Sequence, residues 1–430
     1  MNVARKKLLI LASKLGYQTR GFADAAKSLG VEVHFATDRC HKLDDPWSDG
    51  ALPLLFESPQ DAAKEIVRRF ASDPPDAVLA LGDRPTPTGA YAARALGVAG
   101  NDPEAVERCR SKLAQCETLR AAGLPVPNFF SVALNESVEN FLTQVKFPCV
   151  VKPLSLAASQ GVIRADNKEQ FRAAVSRIRS LLQSPEIQVT REPELDRLLI
   201  EEYIPGGEVA VEGLLDCGQL KILAIFDKPD PLEGPYFEET IYVTPSRLQT
   251  AQQSAIGDCA ARAVRALGLT HGPVHLEFRI NHDGPWVLEI APRPIGGLCS
   301  RALHFGPQRI SLEELLLRHA LGLGGANVER EPEASGVMMI PVPRSGTFER
   351  VEGLEDAERV PSVTEIRITA RLKDYVAAWP EGSSYLGFIF TRAQTPDEAE
   401  AALRAAHAKL FFEFSTRLPV EHPITGRISV

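Results

Sequence analysis

The stretch that decides the fold is HLEFRINHDGPWVLEIAPRPIGG, residues 275–297, in the second half of the chain. Apolar and polar residues alternate on both sides of Asp283-Gly284, a dipeptide that is typical of a tight β-turn. The pattern predicts a β-hairpin over 272–293 with one apolar face and one polar face.

The polar face of this hairpin carries two glutamates. The apolar face is formed by Leu276, Phe278, Ile280, Trp286, Leu288 and Ile290. If the turn is centred on Asp283, Ile280 pairs with Trp286, and Glu277 falls directly opposite Glu289. Like charges at opposed positions repel each other, and Mg²⁺ held together with phosphate oxygens would remove the repulsion. The alternative is an ordinary solvated strand face.

An arginine and two glycines follow the second glutamate. Arg293 lies four residues beyond Glu289, between two prolines, and projects toward the same face. An arginine beside a metal–phosphate site stabilises charge on a transferring phosphoryl group. Gly296 and Gly297 allow close approach of backbone N–H groups to an anion. The alternative is a turn with a surface arginine.

The first hundred residues alternate strand and helix patterns. The predicted strands cover 8–12, 31–37 and 77–82, and the predicted helices cover 21–29, 60–70 and 86–96. This alternation predicts a parallel, Rossmann-like sheet. Asp83-Arg84-Pro85 follows the third strand, where α/β sheets bind ligands; a capped loop entering a helix fits equally well.

The rest of the chain divides into two further predicted domains. We expect domains over 1–104, 105–325 and 326–430, with a lid subdomain at about 145–207. Within them the pattern predicts single helices over 104–123 and 396–412. The fold class is therefore mixed α/β and α+β, ending in a small α+β domain.

Composition excludes several classes of protein. The 430 residues carry 48 Lys+Arg and 56 Asp+Glu, a net charge of −8, which argues against nucleic-acid binding through bulk charge. The longest apolar runs are too short for a membrane span, and the run after the N-terminal basic residues is too short for a signal peptide. Seven cysteines without a C-x-x-C pair predict neither a zinc site nor disulfides and favour a cytoplasmic location.

Four segments in order resemble the ATP-grasp family. They are the hairpin pattern E…E-x-x-x-R-x-x-G-G, the helix from Ser111-Lys112 to the segment 122–127, the strand and small-residue loop 147–161, and the segment EEYIPGGE at 201–208. The resemblance implies an ATP-grasp fold with an N-terminal Rossmann-like pre-ATP-grasp domain. It also implies that Glu277 and Glu289 bind Mg²⁺, with Mn²⁺ as an alternative ion.

The same resemblance assigns residues to ATP. Lys112 and Lys152 would hold phosphates, although either could be a structural lysine with a buried stem. The residues expected to close a loop over the phosphates are Ser155, Ser159 and Gly161. The residues expected around adenine and ribose are Glu201, Glu202, Tyr203, Ile204 and Glu208. The two adjacent glutamates could instead be ordinary strand-end charges.

Further segments are similar to the carboxylate–amine ligase branch, which includes L-amino acid ligases. These are 228–240, 270–275 and the C-terminal region. The branch joins a small carboxylate to an amine through an acyl phosphate, with Arg293, Gly296 and Gly297 steadying the reacting group. It also implies a homodimer, while the charge balance and the short apolar runs predict no nucleic-acid or membrane partner.

One residue departs from the family pattern. Many ATP-grasp enzymes have Asn two residues after the second metal-binding glutamate, and this chain has Ala291, so the number of metal ions is open. Two other functions therefore stay in view. One is a stand-alone ATP-dependent carboxylase, for which the chain shows no Met-Lys biotinylation site; the other is a non-catalytic ATP-binding module.

Overall fold

The computed structural model describes residues 5–13, 17–38, 50–324 and 328–415, and the backbone of 420–422 and 426–428. The expected boundary between 325 and 326 lies outside these residues. Within them, no helix is long and apolar enough to cross a membrane.

The N-terminal part is a four-stranded parallel sheet with helices packed on it. The strands are β1 (Lys7–Ala12), β2 (Glu32–Thr37), β3 (Leu52–Pro53) and β4 (Ala77–Leu81), in the order β3-β2-β1-β4. The helices are α1 (Tyr17–Ser28), α2 (Pro59–Arg69) and α3 (Thr86–Leu96). The parallel sheet predicted from the βαβ alternation is confirmed, because every pair in it is parallel.

The single helix predicted over 104–123 is wrong, because the chain forms two helices there. They are α4 (Pro103–Arg110) and α5 (Lys112–Ala121), separated at Ser111. Ser111 has extended backbone angles, and its hydroxyl accepts a hydrogen bond from the N–H of Ala114. A serine N-cap starts a new helix and ends the previous one, and here it places Lys112 at the first position of α5.

The next sheet, the lid sheet, is antiparallel, and three of its four strands lie within the segment 145–207 that was expected to form a lid. Its strands are β5 (Phe129–Ala133), β6 (Cys149–Pro153), β7 (Ile163–Ala165) and β8 (Arg197–Glu202), in the order β5-β8-β6-β7. Three helices accompany it: α6 (Val138–Phe141), α7 (Lys168–Leu182) and α8 (Pro185–Gln188). The buried face of α7 packs on the sheet through Phe171, Val175 and Ile178.

An eight-stranded antiparallel sheet forms the centre of the molecule. Its strands are β9 (Gly207–Asp216), β10 (Gln219–Lys228), β11 (Ile241–Thr244), β12 (Gly272–Asn281), β13 (Gly284–Ala291), β16 (Ala334–Ile340), β18 (Val363–Ile368) and β20 (Gly387–Ala393). The order is β13-β12-β9-β10-β11-β16-β20-β18. Strands from beyond residue 326 therefore continue the same sheet as the hairpin.

Helix α9 (Thr250–Leu267) covers one face of this sheet, and its other face meets the N-terminal part. Along β9, Val209, Val211 and Leu215 point toward α9, whereas Ala210 and Leu214 belong to the opposite core. Because strand residues alternate between faces, Glu208 and Glu212 share the face that is away from α9.

The remaining elements surround the sheet. They are α10 (Leu312–Ala320), β14 (His304–Phe305), β15 (Ile310–Ser311), β17 (Gly346–Glu352), α11 (Leu354–Glu358), β19 (Tyr375–Val376), α12 (Pro396–His407), β21 (Phe411–Ser415), β22 (Val420–His422) and β23 (Gly426–Ile428). The helix predicted over 396–412 ends early, at His407, and Phe411 begins a strand that pairs with β17. The phenylalanine-rich end FFEFS has the aromatic content that strands favour.

Candidate functional site

The two hairpin glutamates lie directly opposite each other. Glu277 of β12 pairs with Glu289 of β13. The register shifts by one residue beside Glu277, so that Arg279, rather than Ile280, pairs with Trp286. The predicted pairing near the turn is therefore wrong, because the chain has a tight turn followed by a bulge.

The bulge also changes which return-strand residues face the core. Val287 is buried in the core under α9, whereas Leu288 lines a cleft on the other side together with Glu289. The prediction that Trp286 and Leu288 belong to the apolar face is wrong for this reason.

Glu277 is surrounded by cationic partners. Its Oε1 lies 3.2 Å from the ammonium of Lys228 and 3.4 Å from Nε2 of His275. Burial favours the neutral acid, but Lys228 and His275 outweigh it and lower the pKa of Glu277 below its usual value. Glu277 is therefore ionised and can ligate a cation.

Lys228 is the centre of a buried charge cluster. Its ammonium lies 2.8 Å from Glu208 and also contacts Glu239 and Glu277, and its side chain is only 2% exposed. Carboxylate oxygens of these three glutamates lie within 4.8 Å of one another. This donor set fits an oxygen-preferring divalent ion such as Mg²⁺.

The other hairpin glutamate meets the first predicted lysine. The ammonium of Lys112 lies 3.4 Å from Glu289 and donates a hydrogen bond of 2.8 Å to the carbonyl of Leu156. Lys112 thus connects the start of α5, the end of the hairpin and the small-residue loop.

The second predicted lysine forms a buried ion pair. Lys152 of β6 lies 2.7 Å from Glu201 of β8, and both side chains are less than 10% exposed. Burial favours the neutral amine, but Glu201 outweighs it and raises the pKa of Lys152. The thiol of Cys116 also approaches Glu201, at 3.6 Å.

Arg279 holds the segment that was expected to bind adenine and ribose. Its guanidinium donates to the hydroxyl of Tyr203 at 2.9 Å, to the carbonyl of Ile204 at 3.1 Å and to Glu208 at 3.2 Å. Glu202 instead accepts a hydrogen bond from the side-chain amide of Asn128 at 2.6 Å. The central sheet and the lid sheet are thereby joined behind the cleft.

These side chains line one cleft of about 750 Å³ between the lid sheet and the central sheet. The predicted residues at its wall are Lys112, Lys152, Ser159, Glu201, Glu202, Tyr203, Ile204, Glu208, Glu277 and Glu289. The apolar part of the wall includes Val150, Val162 and Leu288. A cleft that combines apolar side chains with lysines and carboxylates fits a nucleotide, whose base is apolar on its faces and whose phosphates are anionic.

Two residues of the small-residue loop lie elsewhere. Ser155 lines a second, larger cavity, and its hydroxyl is buried without a hydrogen-bond partner. Gly161, at φ +73°, donates its N–H to the carbonyl of Pro380 at 2.9 Å. The indole of Trp379 donates to the carbonyl of Ala158 at 3.2 Å. The segment 379–380 thus holds this loop against the central body.

Arg293 is bound by a residue from the N-terminal sheet. Its guanidinium makes two hydrogen bonds to the carboxylate of Asp83, at 2.8 and 3.1 Å. Burial favours the neutral acid, but Arg293 outweighs it and lowers the pKa of Asp83. The backbone carbonyl of Asp83 also accepts from the hydroxyl of Thr86, but no side chain caps the helix that follows, so the loop enters the helix uncapped.

The two glycines after Arg293 differ in their surroundings. A Cβ at Gly296 would meet no atom within 4 Å, whereas a Cβ at Gly297 would lie 2.9 Å from the ring of Phe388. Gly297 also has φ +62°, a conformation that favours glycine. The neighbouring carbonyl of Ile295 accepts from Gln18, which lines the larger cavity.

The larger cavity, about 2600 Å³ including its mouth, lies among the N-terminal sheet, the lid and the C-terminal strands. It meets the nucleotide-shaped cleft at Leu156 and Ala157, which line both. Its wall carries charges of both signs. Arg84 is held by Asp38, Glu57 and Glu192 at 2.5 to 3.3 Å.

Sequence reasoning gave no role to several residues of the site. These are Lys228, Glu239, His275 and Arg279, whereas Asp83 was expected in a ligand-binding loop but not as the partner of Arg293. The contact between Arg279 and Glu208 could have been predicted from strand pairing, because β12 and β9 are neighbours and their register places the two residues directly opposite each other. The contact of Lys228 with Glu208 could not be predicted in this way. A regular hairpin would pair Lys228 with Gly207, and a bulge in β10 shifts the partner to Glu208.

Three family models match the chain. They are the ATP-grasp N-terminal domain over 23–100, the ATP-grasp domain over 145–302, and the L-amino acid ligase C-terminal domain 2 over 338–415. Among solved structures, the L-amino acid ligase from Bacillus licheniformis is 28% identical, with a TM-score of 0.79 over 96% of this chain and 99% of that chain.

Two curated relatives are, by name, a ligase and a synthase. Alanine–anticapsin ligase from Bacillus amyloliquefaciens is 27% identical over 55% of this chain and 52% of its own length. Carnosine synthase 1 from Gallus gallus is 30% identical over 82% of this chain and 40% of its own length. The chain thus spans about half the length of these curated relatives. By its matched domains and their order, the chain is an ATP-grasp protein similar to L-amino acid ligases.

Proposed function

We propose that the protein is an ATP-dependent carboxylate–amine ligase that forms an amide or peptide bond with an amino acid as one substrate. The observation that carries this proposal is the cleft in which Glu277 and Glu289 face each other beside Lys112 and Lys152. Paired carboxylates and lysines at one end of an apolar slot supply what a metal-bound triphosphate needs.

The proposed reaction has two steps. The substrate carboxylate oxygen attacks the γ-phosphorus of ATP, which gives an acyl phosphate and ADP. The amine nitrogen then attacks the acyl carbon, phosphate leaves, and the nitrogen loses a proton as the amide forms. A divalent ion held by Glu277 and Glu289 would neutralise phosphate charge, with Mg²⁺ as the expected ion and Mn²⁺ as a substitute.

Each predicted residue has a proposed task. Lys112 and Lys152 contact phosphates, and Ser155, Ser159 and Gly161 belong to the loop that covers them. Arg293, fixed by Asp83, faces charge on the acyl phosphate, and Gly296 and Gly297 offer backbone N–H groups to the substrate carboxylate or oxyanion. The adenosine moiety contacts Glu201, Glu202, Tyr203, Ile204 and Glu208.

The larger cavity is the proposed site of the acid and the amine. It meets the cleft at Leu156 and Ala157, so a carboxylate there can approach the terminal phosphate. Its wall carries Asp83, Arg84 and Arg110. Charges of both signs complement an amino acid, which carries an ammonium and a carboxylate together.

The test is substrate-dependent release of phosphate. The protein is incubated with ATP, Mg²⁺ and pooled amino acids, and phosphate and dipeptide mass are measured. Phosphate release together with a dipeptide is expected, and Glu277→Gln should abolish both. Release with bicarbonate alone would favour the carboxylase alternative. ATP binding without turnover on a broad panel of acids and amines would refute the proposal and favour a binding module.

Further properties follow the family and have direct tests. We propose the three domains 1–104, 105–325 and 326–430, with the lid at about 145–207, which limited proteolysis with and without nucleotide would examine. We also propose a homodimer, as is common for soluble enzymes, and a cytoplasmic location. Light scattering and cell fractionation measure these two properties.

A further inference from the structure

A second group of metal-ligating side chains lies at the far end of the central sheet from the hairpin turn. Asp216 ends β9, His271 precedes β12, and His319 lies in the last turn of α10. Gly272 pairs with Leu215 between the two strands, so continuing the register places His271 across from Asp216. The backbone bond from Gly218 to Thr270, at 2.9 Å, extends the same pairing.

The three side chains converge. Their ligand atoms all lie within 4.8 Å of one another. The imidazoles of His271 and His319 stack with ring centroids 4.5 Å apart, and Nε2 of His319 lies 3.8 Å from the carboxylate of Asp216. Tetrahedral zinc with bonds of about 2.0–2.2 Å places its ligand atoms about 3.3–3.6 Å apart, and an imidazole binds through a lone pair in its ring plane. Binding an ion would therefore turn one ring out of the stack and rotate the exposed Asp216 toward the two ring nitrogens.

One nitrogen in this group has an unsatisfied requirement. Nε2 of His319 is fully buried and has no hydrogen-bond partner among the residues that the structure describes, and the His319 side chain is 6% exposed. A buried polar atom without a partner is costly, and native proteins satisfy nearly all of them. An ion coordinated by a ring nitrogen of each imidazole and by the carboxylate would satisfy this nitrogen.

Hydrogen bonds hold the backbone around His271 in place without a bound ion. The side chain of Asn101 accepts from the N–H groups of Thr270 and His271, at 2.7 and 2.9 Å, and donates to the carbonyl of His271 at 2.7 Å. A loop held by three hydrogen bonds presents its imidazole with little loss of conformational freedom.

We propose that Asp216, His271 and His319 form a second metal site, which takes a divalent transition ion of the zinc class. Two imidazoles and one carboxylate are the ligands that zinc and its neighbours prefer, whereas Mg²⁺ prefers oxygen. Water completes the coordination. Glu277 lies six residues farther along the chain than His271, about 20 Å in a strand, so this ion is separate from the one proposed for catalysis.

The site has a structural task. His319 belongs to α10, whereas Asp216 and His271 belong to the central sheet. An ion bound by all three ties that helix to the sheet and stabilises the folded state, because the unfolded chain holds no preformed site.

The experiment uses the full chain with Cys217→Ser, because the exposed thiol next to Asp216 would itself bind zinc. Saturating MgADP occupies the nucleotide cleft. Zn²⁺ binding is measured by calorimetry, and Co²⁺ is titrated while its visible spectrum is followed. One equivalent of each ion should bind, with a Co²⁺ spectrum that lacks thiolate charge transfer, and Zn²⁺ should raise the melting temperature.

The variants decide whether these side chains are the ligands. His319→Gln and Asp216→Asn should each weaken Zn²⁺ binding at least about tenfold, since even losing a residue that only supports a ligand costs about 10–100-fold. His282→Ala is the matched control, because His282 is an exposed histidine in the hairpin turn, and it should bind Zn²⁺ like the parent. Asp216 is exposed, so its variant folds even if His319→Gln does not. No saturable binding, or equal binding by the parent and Asp216→Asn, would overturn the proposal.

Discussion

Replacing Lys228 with methionine should destabilise the protein, and Mg²⁺ should reverse part of the loss. Lys228 is the shared cation of Glu208, Glu239 and Glu277, and its side chain is 2% exposed. Methionine fills similar volume but leaves three carboxylates in a small space without an ammonium. Removing one partner of a buried ion pair costs about 3–5 kcal/mol.

That free energy is measurable by thermal unfolding. One kcal/mol shifts the melting temperature by about 2–4 °C for domains of about 200 residues, so Lys228→Met should melt about 6 °C or more below wild type. Mg²⁺ binds carboxylates that have lost their ammonium more tightly. It should therefore raise the melting temperature of Lys228→Met by more than it raises that of wild type.

A control on the same strand isolates the effect of burial. Lys221 lies on β10 and pairs at 3.0 Å with Glu329, whose side chain is 84% exposed. Exposed ion pairs contribute about 0–1 kcal/mol, so Lys221→Met should stay close to wild type and show no extra response to Mg²⁺. Equal melting temperatures for Lys228→Met and Lys221→Met, or equal Mg²⁺ responses of Lys228→Met and wild type, would refute this reasoning.

Three other predictions test the site. Glu277→Gln and Glu289→Gln should each lower kcat about 100-fold or more, because a metal ion contributes several kcal/mol to charge stabilisation. A coupled assay for ADP measures kcat, and an unchanged kcat contradicts the assignment of these glutamates as metal ligands. Asp83→Asn removes the carboxylate that orients Arg293 and should lower kcat at least about tenfold with little change in the KM for ATP. A tenfold rise in the KM for ATP would instead indicate that Asp83 acts in ATP binding. Burial raises the pKa of Glu238 to about 7. The folded protein therefore holds a proton that the unfolded chain has lost, and wild type loses stability as the pH rises from about 4.5 to 7. Glu238→Gln should melt at a higher temperature than wild type above pH 7, and the difference in melting temperature should disappear below pH 4.5.

The sequence was informative where alternation and spacing act locally. Strands β1 and β4 and helix α3 were predicted within one residue, because apolar runs and flanking turn residues mark their ends. The helix break at Ser111 was missed because one serine N-cap inside a helical pattern looks like an ordinary polar position.

Contacts between segments that are far apart in the chain could not be predicted from the sequence. Bulges in β10 and β13 change cross-strand partners by one residue, and no residue type marks them. The pairing of Asp83 with Arg293 joins positions 210 residues apart, on different sheets. Such a contact depends on how the N-terminal sheet packs on the central one, which local periodicity does not encode.

The ion pair between Lys152 and Glu201 reconciles two tasks that compete at first sight. Lys152 is proposed to hold phosphate and Glu201 to accept from adenine, yet they lie 2.7 Å apart in a buried setting. Breaking such a pair to bind a ligand would leave two uncompensated charges. An ammonium has three protons and a carboxylate about four acceptor positions, so each group keeps its partner and has capacity left. The intact pair thus links the two ends of the cleft, and removing either residue should affect both the base and the phosphates of a bound nucleotide.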